Sequence, residues 1–195
     1  MSKPKMALSK VLVAALSLLV AACAGESTAP SARRSVPLDA TKALVGVVDG
    51  AYAYTINPNV SNTLTFGASR LTVPAHAICA IATTPYGPSE WDRSCTAEQG
   101  LVTITAVIRN AQTNNPSIEF SPAMRFSPDQ NVQLFLQVDN AATLSAMSTM
   151  VYCGPFSTFC MDESLNDASL QTAVNVTDNT VFRRIKHFSG YTVAE

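Results

Sequence analysis

Apolar and polar residues alternate along most of the chain after residue 43. In the clearest run, residues 100–109, every second side chain is apolar and threonines occupy the opposite face. This period of two is typical of strands with one buried and one solvated face. It predicts strands at 43–48, 51–55, 62–66, 69–73, 100–109, 117–120, 131–138, 149–153, 170–176 and 180–194. We expect Asp49-Gly50, a hairpin dipeptide, to join the first two.

Short strands separated by proline and asparagine turns predict an all-β fold, an immunoglobulin-like antiparallel β-sandwich. Helical periodicity is weak, and only 140–150 and 162–169 are predicted to form a turn or two. The chain shows no internal repeat and no second zone of composition. One domain, residues 43–195, is therefore the simplest organisation.

Residues 1–22 have the organisation of a secretory signal peptide. Three lysines without any acid precede a twelve-residue apolar run at 11–22. This run is shorter than the roughly 20 apolar residues that a transmembrane helix needs, and it fits the apolar centre of a leader. The sequence therefore predicts an exported protein.

The leader ends in Leu-Val-Ala-Ala before Cys23, which resembles a bacterial lipobox. The resemblance implies lipid attachment to Cys23 and cleavage before it, and ordinary cleavage after Ala24 is the alternative. Because an alanine and not an aspartate follows the cysteine, the outer membrane is the expected location where the cell has one. Residues 23–42 are small, polar and proline-containing, so we expect a flexible tether.

Charge and composition narrow the functional classes. Without the leader the chain has 10 Lys and Arg against 14 Asp and Glu, a net charge of −4. This mildly acidic balance argues against nucleic acid as a partner, because phosphate binding needs a basic surface. No GxSxG, HExxH, P-loop or GxGxxG motif occurs, so the sequence indicates no cofactor and no familiar enzyme class.

Four cysteines remain once Cys23 is set aside: Cys79, Cys95, Cys153 and Cys160. An even number in an exported chain indicates two disulfides. Three connectivities are possible, and we favour Cys79–Cys95 and Cys153–Cys160 because each closes a short, turn-rich loop. Zinc is the competing interpretation, but the spacings do not match a finger or a ribbon. We therefore predict no metal site.

Several motifs follow one another in a recognisable order: LTVPA at 71–75, IEFSP at 118–122, MRFSP at 124–128, an aliphatic strand at 132–138 and HFSGY at 187–191. This order is similar to bacterial relatives of the zonula-occludens and netrin-receptor (ZU-five-type) β-sandwich domain, which occurs in ankyrins and netrin receptors. The resemblance covers residues 62–195 and implies an immunoglobulin-like sandwich used for interaction or as a mechanical spacer. The insertion between Cys79 and Cys95 departs from the family pattern.

The triplet His187-Phe188-Ser189 carries one chemical hypothesis. In certain vertebrate death-domain proteins and a nucleoporin, an HFS triplet cleaves its own chain between phenylalanine and serine. By that resemblance Ser189 would attack the Phe188 carbonyl, with His187 as general base and then proton donor. Residues i and i+2 of a strand share a face, so we expect His187 and Ser189 to meet. The alternative is a closing strand whose polar side chains are buried and hydrogen-bonded.

The first predicted disulfide loop offers a second candidate site. Tyr86, Glu90 and Trp91 are candidates for a surface that contacts a glycan or a peptide, because Tyr and Trp are enriched at binding hot spots. The alternative is that Trp91 packs down as the small core of the loop.

Two charged segments near the C-terminus have simpler interpretations. The acidic residues at 162–167 lack the spacing of a calcium loop, so we expect a solvated acidic loop. The basic residues at 183–187 alternate between two faces, and we expect solvent-exposed charge.

These patterns favour a non-enzymatic, lipid-anchored surface β-sandwich with an interaction or structural role in the cell envelope. Its partners would be the membrane, through the lipid, and a protein or a glycan. Self-cleavage between Phe188 and Ser189 and glycan or peptide binding by the Tyr86–Trp91 loop are the alternatives.

Overall fold

The computed structural model describes residues 33–34, 49–138, 144–154 and 159–194. Within these residues the strands are β1 (Arg33–Arg34), β2 (Gly50–Ile56), β3 (Asn62–Phe66), β4 (Ser69–Val73), β5 (Val102–Arg109), β6 (Ser117–Ser121), β7 (Gln133–Gln137), β8 (Thr149–Cys153), β9 (Cys160–Met161), β10 (Ala173–Asn175), β11 (Thr180–Arg184) and β12 (Gly190–Ala194). Short 3-10 helices occupy Pro88–Glu90, Glu163–Leu165 and Ala168–Leu170. The predicted leader, Cys23 and the predicted strand 43–48 lie outside the described residues.

The strands form two antiparallel sheets, as expected of an all-β sandwich. One sheet has seven strands in the order β1-β2-β5-β6-β12-β8-β9, and the other has five in the order β10-β11-β7-β4-β3. The apolar face of each alternating strand is buried between the sheets, as the pattern in β3 and β5 shows. β12 lies inside its sheet, with β6 on one side and β8 on the other.

Aromatic side chains connect the centre of the core to the C-terminal part of the chain. The ring of Phe66 contacts Tyr52, Tyr54 and Phe120 edge-on, at centroid distances of 5.6 to 5.9 Å. Phe120 in turn stacks on Phe188 at 4.6 Å. The phenylalanine of the HFS triplet is therefore part of the main hydrophobic core.

Alternation located most strands, with one clear error. β3, β4 and β8 have the predicted bounds, and β5, β6 and β7 end within two residues of theirs. The prediction of one strand over 180–194 is wrong, because β11 and β12 belong to different sheets and the chain crosses between them at 185–189. The segment 162–169 forms two of the 3-10 helices, as the weak helical signal suggested.

Two features near the start of β2 were not expected. Arg33–Arg34, inside the predicted tether, pairs with β2 opposite Thr55 and Tyr54, along part of a sheet edge. Gly50 is the first residue of β2 instead of part of a turn, and β2 pairs along its length with β5. The carboxylate of Asp49 accepts the Ala111 N–H at 2.8 Å and fixes the start of this strand pair.

Both predicted disulfides are present. Cys79 and Cys95 are bridged across 16 residues, and Cys153 and Cys160 across 7 residues. The bridges agree with a protein that is exported to an oxidising compartment. In the described part of the chain, no helix has the length and apolar character that crossing a membrane requires.

Candidate functional site

The segment that crosses from β11 to β12 carries the HFS triplet, and backbone hydrogen bonds fix it. The N–H of Phe188 donates to the Met124 carbonyl at 2.7 Å, and the carbonyl of Ser189 accepts the Phe120 N–H at 3.0 Å. His187 and Phe188 are fully buried, and Ser189 is 6% exposed. The peptide bond between Phe188 and Ser189 is therefore held in one place at the margin of the core.

The imidazole of His187 is enclosed on every side that the structure describes. Its Nε2 lies 3.0 Å from Oε1 of Glu163, and its Nδ1 lies 3.3 Å from the hydroxyl oxygen of Tyr86. Trp91 stacks on the ring at a centroid distance of 3.7 Å, and Tyr152 contacts it edge-on at 4.9 Å. Because a carboxylate only accepts hydrogen bonds, Nε2 carries the N–H that points at Glu163, and Nδ1 is the ring nitrogen next to Tyr86.

Glu163 is the buried anion that orients this histidine. Its Oε2 pairs with Arg183 at 2.5 Å, and Arg183 is 1% exposed and also donates to the Met150 carbonyl at 2.6 Å. The expectation of a solvated acidic loop is therefore wrong for Glu163. Asp162 starts the 3-10 helix by accepting the N–H of Ser164, and this cap turns Glu163 inward.

The expectation of solvent-exposed charge at 183–187 is also wrong, because Arg183, Lys186 and His187 are buried. Lys186 forms ion pairs with Asp92 and with Asp167, the latter at 2.5 Å. The hydrogen bond from Lys186 lowers the pKa of Asp167 to about 2. Asp92 and Asp167, which lie in two different loops, thus neutralise the charge of Lys186.

Tyr86 reaches the peptide bond between Phe188 and Ser189 from the loop that Cys79 and Cys95 close. Its hydroxyl donates to the carbonyl oxygen of Phe188 at 2.6 Å, the shorter of its two contacts with the HFS triplet. Burial raises the pKa of Tyr86 to about 12. The phenol thus stays protonated at neutral pH and contacts two residues of the triplet.

Ser189 does not meet His187 directly, contrary to the expectation from strand geometry. Its Oγ lies 3.4 Å from the Cys153 carbonyl oxygen, and no hydrogen bond between Ser189 and His187 occurs in the described structure. The reason is local: the crossing segment is not a regular strand, so residues i and i+2 do not share a face there. The nearest polar neighbour of Nδ1 of His187 is instead the hydroxyl of Tyr86.

Gly190 permits the close approach of β8 to the cleavage position. A Cβ atom at Gly190 would lie 2.8 Å from the Cys153 carbonyl oxygen, which is too short for a real contact. Next to it, an open cleft of about 350 Å³ is lined by Tyr86, Phe188 and Ser189. Solvent therefore reaches the margin of the site from the outer face of the seven-stranded sheet.

The three candidates for a ligand-binding surface lie in different environments. Trp91 is 9% exposed and packs against His187, while Glu90 pairs with Arg93 at 3.1 Å. Tyr86 is 38% exposed, but its hydroxyl points inward. The indole thus packs down within the loop, as the alternative interpretation expected.

A metal centre is not apparent in the part of the chain that the structure describes. Within it, no three His, Cys, Asp or Glu side chains are grouped so that they would hold an ion. All four cysteines that the structure describes are joined in the two disulfides.

Comparison with known proteins returned no relative: no protein-family model, no curated protein and no solved structure matches this chain.

Proposed function

We propose that this chain is an exported envelope protein, anchored by a lipid on Cys23, whose β-sandwich cleaves its own peptide bond between Phe188 and Ser189. The observation that carries the cleavage is a phenol that donates to the carbonyl oxygen of this bond and lies 3.3 Å from an oriented imidazole. The leader pattern, the lipobox resemblance and the two disulfides support the location.

The proposed reaction is an acyl shift followed by hydrolysis. The side chain of Ser189 first turns from the Cys153 carbonyl toward the imidazole. Its Oγ then bonds to the Phe188 carbonyl carbon while its proton passes to Nδ1 of His187. The carbon–nitrogen bond then breaks, and the proton on His187 moves to the departing amino group of Ser189. The result is an ester between Phe188 and Ser189. Water cleaves this ester and leaves a carboxylate on Phe188 and a free hydroxyl and amino group on Ser189.

A purely structural role for His187 explains less of the geometry. A buried histidine needs partners, and Glu163 and Tyr86 satisfy that need. It does not need a phenol that donates to the carbonyl of the next residue. Donors aimed at a carbonyl oxygen are the arrangement by which enzymes stabilise acyl transfer.

Scission would leave the sandwich assembled. β12 pairs with β6 over three residues and with β8 over five, and Tyr191 and Val193 are buried in the core. The segment that begins at Ser189 would therefore remain bound without a covalent link. An envelope domain of this kind keeps its interaction surface and gains a strand that force or denaturant can remove.

The test is the intact mass of the full chain extracted from membranes in detergent and then unfolded. We expect two fragments that meet between Phe188 and Ser189, with the acyl chains on the larger one, which begins at Cys23. Ser189→Ala should give a single uncut mass, while Ser121→Ala, an exposed serine of β6, should cut like the wild type. A single full-length wild-type mass would refute the cleavage and leave a plain interaction domain.

A further inference from the structure

We propose that Tyr86 is a catalytic residue of this cleavage, whose hydroxyl donates a hydrogen bond to the Phe188 carbonyl oxygen as that atom becomes negatively charged. The inference rests on the proposed self-cleavage and adds a residue that lies outside the HFS triplet. Tyr86 is 102 positions before Phe188 in the chain. It belongs to the loop that departs from the family pattern.

The geometry places the donor on the reacting atom. Among the described residues, the phenol of Tyr86 supplies the hydrogen bond that the Phe188 carbonyl oxygen accepts, at 2.6 Å. Oxyanion donors of acyl-transfer enzymes lie at similar distances from the oxygen that becomes charged. The contact therefore already exists in the uncut chain and requires no rearrangement as the charge develops.

The loop holds this phenol in place through several independent contacts. The Cys79–Cys95 bridge closes the loop, and the Glu90 N–H donates to the Gly87 carbonyl at 2.9 Å within it. The Tyr86 ring also meets the imidazole of His187 edge-on at 5.9 Å. A donor fixed in this way does not have to be oriented again during the reaction.

The phenol and the imidazole take different parts in the reaction. Tyr86 keeps its proton and donates it to the Phe188 oxygen throughout. Nδ1 of His187, 3.3 Å from the phenol oxygen, receives the Oγ proton once the Ser189 side chain turns toward it. Tyr86 is therefore neutral throughout, and His187 carries the transferred proton until it protonates the leaving amino group.

The first test replaces Tyr86 by phenylalanine, which removes one hydroxyl and keeps the ring against His187. The full chain, collected uncut in urea, is refolded at neutral pH under disulfide-forming conditions, and the cut fraction is followed by intact mass. Removing one oxyanion donor should slow the cleavage about 100-fold. Tyr54→Phe is the matched control, because the Tyr54 hydroxyl also donates to a backbone carbonyl, that of Thr65, and should leave the rate unchanged.

Hydroxylamine shows whether Tyr86 acts in formation of the ester or in its hydrolysis. It attacks an ester and yields a hydroxamate on Phe188, so it accelerates the wild type if hydrolysis of the ester is slow. Tyr86→Phe should stay slow in hydroxylamine, because formation of the ester is the impaired step. Thermal melting of both tyrosine variants in a Ser189→Ala background checks that the fold is retained.

The outcomes distinguish this inference from the function on which it rests. Wild-type chain that never cuts refutes the self-cleavage, and the role of Tyr86 with it. Wild-type chain that cuts, with Tyr86→Phe cutting at the same rate, refutes the role of Tyr86 alone. A Tyr86→Phe defect that hydroxylamine fully restores also overturns it, since the ester would then form without the phenol.

Discussion

Replacement of Glu163 by glutamine tests the network that orients the site. Glutamine has nearly the same shape, so the change removes a negative charge without opening a cavity. In the folded protein this charge pairs with Arg183 at 2.5 Å and accepts from His187 at 3.0 Å. Its loss leaves the guanidinium of Arg183 buried, with carbonyl partners at Met150 and Arg184 and with Asp162 at 3.7 Å.

The expected cost follows from this burial. Breaking a buried ion pair by removal of one partner costs about 3–5 kcal/mol, because the other charge stays buried. Since Arg183 keeps carbonyl partners and Asp162 nearby, we take the lower end, about 3 kcal/mol. For a domain of this size, about 3 kcal/mol corresponds to a melting temperature roughly 6–12 °C lower.

The assay is thermal unfolding at pH 7, followed by circular dichroism in a Ser189→Ala background so that scission does not contribute. Glu119→Gln is the matched control, because Glu119 is exposed on β6 and should change stability by about 0.5 kcal/mol or less. A Glu163→Gln protein that melts within 2 °C of its background would refute the reasoning that Glu163 is a buried anion with two dependent partners.

Two further predictions concern the loops around the site. Replacement of both Cys79 and Cys95 by serine should slow the scission at least about tenfold, because the loop that holds the phenol loses its bridge. The cut fraction, measured by intact mass, reports the rate. The hydrogen bond from Lys186 lowers the pKa of Asp167 from 3.8 to about 2, so this carboxylate stabilises the fold above pH 4 and loses that effect as the pH falls toward 2. Between about pH 5 and pH 2.5, the melting temperature of Asp167→Asn should fall by less than that of the wild type. The melting temperature of the control Asp129→Asn should fall by as much as that of the wild type.

The strands were predictable where buried and exposed side chains alternate along the chain, so that odd-numbered and even-numbered residues lie on opposite faces. Val181, Ile185, Tyr191 and Val193 share one parity, and all are buried, so the pattern runs without interruption through 180–194. Yet β11 lies in one sheet and β12 in the other. Both sheets bury the same parity against a common core, so alternation does not reveal where the chain crosses between them.

The HFS triplet and both disulfides could be identified in the sequence, but the residues that surround the triplet could not. Glu163 and Tyr86 lie 24 and 101 positions from His187 along the chain, and no local pattern brings them together. One signal for Glu163 was available. Parity placed Arg183 and His187 on the buried face, and a buried cation requires an anion from elsewhere in the chain.

The position of the two bridges relative to His187 links the chemistry of the site to oxidation. The loop between Cys79 and Cys95 supplies Tyr86 and Trp91, which contact the imidazole from two directions. The Cys79–Cys95 bridge closes the loop that carries both side chains, and we expect it to hold them in position. A chain still reduced during synthesis would lack this restraint. Cleavage after disulfide formation is the order of events that this architecture favours, since the phenol reaches the Phe188 carbonyl from a closed loop.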